Sequence, residues 1–190
     1  MAWNILLGRS AGRPLTAAAW ASLLTFGALL GQSAALGWLI LPSVCLFAAL
    51  CLVSLFDVRY FVIPDGPLVF LFLCGLATSL AHAPQETGAR LAAVVLAFLA
   101  FRAVALAYAA PRGAPGVGEG DARFFAVAGI WLGVEGLAGC LIYATFSALF
   151  SAAVALRQGD LADASAPVPF GPHLALGLWL SWAVGPIGFG

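Results

Sequence analysis

Long apolar runs, separated by short polar or glycine- and proline-rich breaks, make up most of the 190-residue chain. Seven such runs can be distinguished: 15–31, 34–56, 67–81, 89–110, 122–134, 137–156 and 172–185. A helix that crosses the hydrocarbon core of a bilayer needs about 20 apolar residues, with a range of about 17–25. The pattern therefore predicts an all-α, polytopic membrane bundle of six to seven transmembrane helices. Residues 1–190 are expected to form a single membrane-embedded domain.

The composition indicates a membrane location for the whole chain, because 63% of its residues are hydrophobic and only 8% are charged. Soluble domains carry about 25% charged residues. The eight basic residues are all arginines, and eight acidic residues balance them to a formal net charge of zero. A chain without excess positive charge is not expected to bind nucleic acid.

The four cysteines all lie inside apolar runs, and no two of them are spaced as a C-x-x-C pair. They are Cys45, Cys51, Cys74 and Cys140. We interpret them as small hydrophobic side chains and predict neither a zinc site nor a disulfide framework. No metal and no cofactor is expected. The N-terminal run lacks a small-residue cleavage site, so it is interpreted as the first membrane helix and not as a signal peptide.

The arginines predict an orientation in the membrane. With the N-terminus inside and seven alternating spans, one side receives Arg9, Arg13, Arg59, Arg112, Arg123 and Arg157. Arg90 falls near the other side, and Arg102 lies within the fourth run, where it could extend to the interface or pair with an acid. Because the cytoplasmic loops of membrane proteins carry the excess of basic residues, the first side is predicted to be cytoplasmic.

Two aspartates lie at the ends of apolar runs on this same side. Asp57 follows the second run, and Asp121 precedes the fifth. A lone aspartate at a helix start is usually a cap, and Asp65, in a Pro-Asp-Gly turn, is expected to cap the third run. Acids at membrane depth are costly and mark functional sites. Asp57 and Asp121 are therefore candidates for one shared site.

Two facing carboxylates can hydrolyse a peptide bond without a metal or a covalent intermediate. Like charges a few ångströms apart cannot both ionise easily, so the pair holds one proton. The ionised member accepts a proton from water, and the protonated member polarises the carbonyl. Since Asp121 begins a helix and Asp57 ends one, the helix dipoles favour Asp121 as the base and Asp57 as the holder of the shared proton.

The fifth run is short. A helix over residues 122–134 would be about 20 Å long at about 1.5 Å per residue, whereas the hydrocarbon core is about 30 Å thick. We therefore expect Asp121 to lie below the membrane surface, in a water-filled recess lined by protein.

Three segments resemble the motifs of the type IV prepilin peptidases, a family of membrane aspartic proteases. They are Asp57 with the downstream Ile63-Pro64-Asp65, the G-x-G-D segment at 118–121, and the P-F-G-P segment at 169–172. The resemblance implies that Asp57 and Asp121 are the catalytic pair. Residues in or beside the motifs are expected to bind substrate or to shape the site: Asp65, Gly118, Gly120, Arg123, Pro169, Phe170, Gly171 and Pro172. The family usually has lysine at the position of Arg123, so a cation is retained.

The same resemblance implies an aspartic endopeptidase that cleaves the leader peptide of type IV prepilin or pseudopilin precursors. Its partners would be these precursors and the lipid bilayer. It would reside in the bacterial cytoplasmic (inner) membrane, with its active site facing the cytoplasm. Many family members carry a cytoplasmic domain with paired C-x-x-C motifs, associated with methylation of the new pilin N-terminus. This chain has no such motifs, so a compact peptidase without methyltransferase activity is expected.

Other functions fit parts of the pattern. In a small proton-coupled transporter, Asp57 and Asp121 would be proton relays, and internal repeats would be expected, but none is visible. A non-catalytic assembly protein of a pilus or secretion system is a further alternative. A serine protease would need a serine paired with a histidine from another span. Ser33 and His173 are predicted on opposite sides, which argues against that pairing.

Overall fold

The computed structural model describes residue 37 and residues 40–112, 118–158 and 169–185. These residues form five helices and a short 3-10 turn at Pro84–Glu86, with no strand among them. The helices are α1 (Ile40–Tyr60), α2 (Asp65–His82), α3 (Thr87–Arg112), α4 (Glu119–Gln158) and α5 (Gly171–Val184). The predicted first run, 15–31, lies outside the described residues.

Four segments are long and apolar enough to cross a membrane, judged by length and composition. They are Ile40–Tyr60, Asp65–His82, Pro84–Tyr108 and Glu119–Arg157. The predicted all-α, polytopic membrane bundle is therefore confirmed. The many large apolar side chains that α1, α2 and α3 leave exposed are the surface that a membrane helix presents to lipid.

The second apolar run ends at Phe56 in the sequence, but α1 continues through the polar residues to Tyr60. It ends where Phe61 adopts a positive φ of 54° and donates its backbone N–H to the carbonyl of Asp57 at 2.7 Å. A left-handed residue just after a helix is a common way to satisfy its last carbonyls. Asp57 consequently lies in the last helical turn of α1 and not in a loop.

Helix α4 is broken at Gly133, whose φ of 66° and ψ of −179° are non-helical. This region of backbone conformation is occupied almost only by glycine. The break divides α4 into α4a, residues 119–132, and α4b, residues 134–158. Sequence analysis predicted two runs here, with a break at Glu135 and Gly136, so the structure places the break two residues earlier.

The chain reverses direction at Gly133. Just before the break, Trp131 packs edge-on against Trp182, near the end of α5, with 5.3 Å between ring centroids. Further along α4b, the hydroxyl of Ser147 lies 2.7 Å from Nδ1 of His173, near the start of α5. Helix α4b is therefore antiparallel to α5 and leads back to the end of the bundle where α5 begins.

Helix α4a is the centre of the bundle. Its side chains Phe124, Ile130 and Trp131 are at most 2% exposed. The indole N–H of Trp131 donates to the carbonyl of Leu71 in α2 at 3.0 Å. Gly129 allows α3 to approach closely, because a β-carbon there would lie 2.8 Å from the backbone of Ala93. The short helix is thus enclosed by its neighbours instead of facing lipid.

Arg90 of α3 binds the C-terminal end of α4a. The last carbonyls of a helix have no partner within the helix, and a cation there is favoured by the helix dipole. The guanidinium of Arg90 donates to the carbonyl of Trp131 at 2.8 Å and forms an ion pair with Glu86 at 2.9 Å. Arg90 therefore supplies a hydrogen bond to the carbonyl of Trp131, which has no helical partner because α4a ends at the break.

The packing of α5 on α4b leaves no room for a side chain at Gly177. A β-carbon there would lie 2.3 Å from the carbonyl oxygen of Cys140. We expect Gly177→Ala to lower the free energy of unfolding by about 1–3 kcal/mol, because overpacked contacts force the backbone to move. Thermal unfolding in detergent would measure it. The matched control is Gly88→Ala, since nothing lies within 4 Å of a β-carbon at Gly88. Equal stability of the two variants would contradict the prediction.

Candidate active site

Asp57 is a buried carboxylate with one backbone donor from a distant part of the chain. It is 6% exposed, and its Oδ2 accepts the backbone N–H of Gly171 at 2.8 Å. Gly171 is the first residue of α5, where a helix has N–H groups without a partner inside the helix. The start of α5 therefore binds the carboxylate that ends α1.

This contact depends on glycine at position 171. A β-carbon there would lie 2.7 Å from Oδ2, 2.9 Å from Cγ and 3.0 Å from Cβ of Asp57. Real β-carbon contacts essentially never come below 3.0 Å. The absence of a side chain at 171 is what lets the N–H come within hydrogen-bond distance of Asp57.

Asp121 lies in the first turn of α4 and is half-buried. Its carboxylate lies against the backbone of Gly118, where a β-carbon would lie 2.9 Å from Oδ2, and it lies close enough to Asp57 for the two charges to interact. The structure thus brings together the two aspartates that were predicted to form one site. We call the end of the bundle that holds Asp57, Asp121 and Gly171 the aspartate end.

The glycines of the G-x-G-D segment make room for this arrangement. A β-carbon at Gly118 would lie 2.9 Å from Oδ2 of Asp121. A β-carbon at Gly120 would lie 3.1 Å from the β-carbon of Ile63, which is itself buried. Gly120 therefore allows the segment between α1 and α2 to lie directly on the start of α4.

The structure places Asp57 at the start of a second helix, and this position affects which aspartate holds the shared proton. Asp57 ends α1, but it also lies at the N-terminus of α5 through its bond to Gly171. Asp121 lies in the first turn of α4. Each carboxylate thus lies at the start of a helix, where a negative charge is favoured. The assignment of Asp121 as the base stays a prediction, with less asymmetry to support it.

Asp65 does not act as the predicted cap. The N-cap of α2 is Pro64, and no side chain caps this helix. Asp65 occupies the first helical turn, and one carboxylate oxygen accepts a hydrogen bond from Nη1 of Arg123. The other terminal nitrogen of Arg123 lies 3.9 Å from Glu119. The carboxylate of Asp65 therefore pairs with α4 instead of with its own helix.

The P-F-G-P segment forms the turn that begins α5. The carbonyl of Phe170 accepts the backbone N–H groups of His173 and Leu174, both at 3.0 Å. Pro172 occupies the first turn, where proline is tolerated, and Phe170 packs against the hydrophobic core. Pro169 is half-buried beside it. Together these residues fix the position of Gly171.

The partner of His173 is a serine that no sequence pattern indicated. Its Nδ1 lies 2.7 Å from the hydroxyl of Ser147, whereas Ser33, the serine weighed from the sequence, lies outside the described residues. Ser147 lies in the middle of an apolar run with no motif around it. Only its position on α4b, opposite the start of α5, could have indicated the contact. The pair joins α4b to α5 two residues after Gly171.

The fold and the site define a polytopic helical membrane protein with two interacting aspartates at one end of the bundle. Residues 44–155 match the model of the type IV leader peptidase family. The match covers more than half of the chain, which therefore belongs to this family. No solved structure matches the chain significantly.

Several curated relatives carry the name prepilin leader peptidase/N-methyltransferase. The protein of Bacillus subtilis (strain 168) is 33% identical over 144 residues, which is 76% of this chain and 56% of the relative. That of Xanthomonas campestris pv. campestris is 25% identical over 145 residues, 76% of this chain and 50% of the relative. That of Burkholderia pseudomallei (strain K96243) is 30% identical over 132 residues, 70% of this chain and 42% of the relative. The chain thus spans about half the length of the curated relatives it matches.

Proposed function

We propose that this protein is a membrane aspartic endopeptidase that removes the leader peptide from type IV prepilin or pseudopilin precursors. The proposal depends mainly on the positions of Asp57 and Asp121. They belong to two different membrane helices and lie within range of each other's charge. Membership of the type IV leader peptidase family supports the substrate class, as does the name of the relatives. The proposal covers the peptidase step alone.

The reaction follows from a pair of carboxylates that shares one proton. The ionised carboxylate takes a proton from a water molecule, whose oxygen bonds to the carbonyl carbon of the scissile peptide. The protonated carboxylate gives its proton to the carbonyl oxygen as charge develops there. The carbon–nitrogen bond then breaks while the leaving nitrogen receives a proton from the carboxyl formed in the first step. The other carboxylate takes back a proton from one hydroxyl of the tetrahedral intermediate, which becomes the carboxyl product. The products are a carboxyl end and an amine end, and the pair again holds one proton.

The roles of the surrounding residues follow from their contacts. Gly171 holds Asp57 through its N–H, and Gly118, without a side chain, leaves room for the carboxylate of Asp121. Helix α4a has only residues 119–132, so it is about 21 Å long at about 1.5 Å per residue. This is shorter than the hydrocarbon core of about 30 Å. The short helix supports the proposal that Asp121 works in a water-filled recess below the membrane surface.

The cytoplasm is the proposed location of the aspartate end. Arg59, Arg123 and Arg157 lie at the helix ends on this side, whereas Arg90 lies at the opposite end with Trp131. An excess of arginine is typical of cytoplasmic faces. We therefore propose a bacterial cytoplasmic-membrane protein that meets its precursor substrate from the cytoplasmic side.

The test is co-expression of the full chain with a candidate prepilin and mass measurement of the product. We expect the precursor to lose its leader with the intact chain and to keep it with the double variant Asp57→Asn, Asp121→Asn. A processed product in both cases would exclude the pair as the catalyst. An unprocessed precursor together with proton flux through reconstituted vesicles, lost in the same double variant, would favour the transporter alternative instead.

A further inference from the structure

Among the described residues, an ion pair joins the start of α2 to the start of α4. Arg123 donates from Nη1 to Asp65, the first residue of α2. Its Nη2 lies 3.9 Å from Glu119, one turn earlier on the same helix. The bond to Asp65 links two helices, whereas the contact with Glu119 stays within α4. Of these two acidic partners of Arg123, Asp65 is therefore the one that joins α4 to α2.

The segment under this ion pair lies directly beside the two aspartates. It leaves α1 at Phe61, whose N–H donates to the carbonyl of Asp57 at 2.7 Å. It then places the buried Ile63 against Gly120, where a β-carbon would lie 3.1 Å from the β-carbon of Ile63. It ends at Asp65. The positive φ of Phe61 is unfavourable for a residue with a side chain, so this path has to be held in place.

These contacts close a ring that contains both aspartates. One branch runs along the chain from Asp57 to Asp65. The other runs from Arg123 back to Asp121, two residues away on the same helix turn. The ion pair joins the two branches at one side, and Asp57 and Asp121, which lie within range of each other's charge, are at the other. A movement of Asp65 away from Arg123 would therefore let the starts of α2 and α4 separate and change the distance between the carboxylates.

The ion pair between Arg123 and Asp65 contributes little to the stability of the fold. The side chains of Arg123 and Asp65 are 42% and 69% exposed, and exposed ion pairs contribute little to the free energy of unfolding. The Nε atom of Arg123 is also buried without a hydrogen-bond partner among the described residues. Arg123 contributes little to stability, but it bridges two helices next to the site. We therefore infer that its main effect is on the geometry of the site.

We propose that Asp65 and Arg123 are positioning residues whose ion pair sets the separation of Asp57 and Asp121. This inference rests on the proposed peptidase function and adds a mechanical role for two residues beside the reacting pair. The pair acts by holding the segment 61–64 on Gly120, and it touches neither the water nor the scissile bond in this role.

The test is a charge exchange in the full-length protein, assayed with the prepilin that the intact chain cleaves. We expect Arg123→Gln and Asp65→Asn each to lower kcat by about 3- to 5-fold, with KM nearly unchanged, because an exposed ion pair can shift the population of the correct geometry only by about this factor. Asp65→Arg alone should lose more, because it places two cations together. The double variant Asp65→Arg, Arg123→Asp re-forms the pair with reversed charge and should recover most of the rate.

Three measurements separate positioning from folding. The thermal unfolding of all variants in detergent should stay near that of the intact chain. The matched control is Arg157→Gln, which removes an exposed arginine from the last turn of α4 on the same side and should keep full activity. Amide hydrogen exchange of residues 61–65 should become faster in Arg123→Gln and slower again in the charge exchange.

Several results would overturn the inference. They are full activity in the single variants, no recovery on charge exchange, or a loss of rate that follows a loss of stability. The exchange measurement does not need cleavage. If the intact chain cleaves no prepilin, the proposed function fails, while unchanged exchange of residues 61–65 in Arg123→Gln would by itself refute the ion-pair role.

Discussion

Gly171→Ala is expected to stop cleavage almost as completely as removal of Asp57. The added β-carbon would lie within 3.0 Å of three atoms of Asp57, including its β-carbon. Rotation of the carboxylate alone cannot relieve the overlap, so either Asp57 or the start of α5 has to move. The N–H bond at 2.8 Å would be lost with that movement. Misplacement of a reacting group by about 1 Å can cost about 10²-fold, and we expect kcat to fall by at least about that factor.

The control for Gly171→Ala is another glycine at the same end of the bundle. Nothing lies within 4 Å of a β-carbon at Gly66, in the first turn of α2. Gly66→Ala should therefore cleave the precursor at the rate of the intact chain. Both variants should be compared at saturating precursor and for thermal unfolding in detergent. If Gly171→Ala is folded and fully active, Gly171 does not hold Asp57 during the reaction.

Replacement of either aspartate by asparagine should abolish cleavage. Asparagine cannot take the proton of water and cannot hold the shared proton, so either single variant removes one half of the acid–base pair. General acid–base groups contribute about 10²–10⁴-fold each, and we expect Asp57→Asn and Asp121→Asn each to lose at least this much. Time courses of precursor mass, with the intact chain as reference, would measure the loss.

A matched acid outside the site provides the control for this result. Glu135 is exposed and lies just after the break at Gly133, at the end of the bundle opposite the aspartates. Glu135→Gln removes one carboxylate from the same helix as Asp121 and should leave the rate unchanged. Appreciable cleavage by either aspartate variant would mean that the reaction does not depend on the pair.

The apolar runs predicted the helices well but not their ends. The second run stops at Phe56, whereas α1 continues to Tyr60. The pattern of apolar residues reports where lipid and core contacts end, while a helix ends where the backbone leaves the helical conformation. Here that point is Phe61, whose φ is 54°. Nothing in the polarity of residues 57–61 marks this point.

The break in α4 was predicted close to its position for a related reason. The run contains two glycines near Glu135, and either can interrupt a helix. The structure uses Gly133 for the turn, with φ of 66°. Gly136 stays within α4b, where a β-carbon would lie 2.8 Å from the β-carbon of Leu132. The choice between them depends on packing, which the sequence does not contain.

The candidate site, too, could be predicted from the sequence only in part. Asp57 and Asp121 could be proposed from their positions at the ends of apolar runs, and the resemblance to a family indicated Gly171. The contact between Gly171 and Asp57 joins residues 114 positions apart, and no local pattern could predict it. Ser147 and His173, joined at 2.7 Å, belong to no motif, so only the three-dimensional arrangement reveals them.

The turn at Gly133 also determines which face of the membrane every later residue reaches. A straight helix over residues 119–158 would be about 60 Å long at about 1.5 Å per residue, or about twice the thickness of the hydrocarbon core. Without the turn, the chain would deliver Gly171 to the face away from Asp57. One glycine at the far end of the bundle therefore determines on which side of the membrane α5 begins.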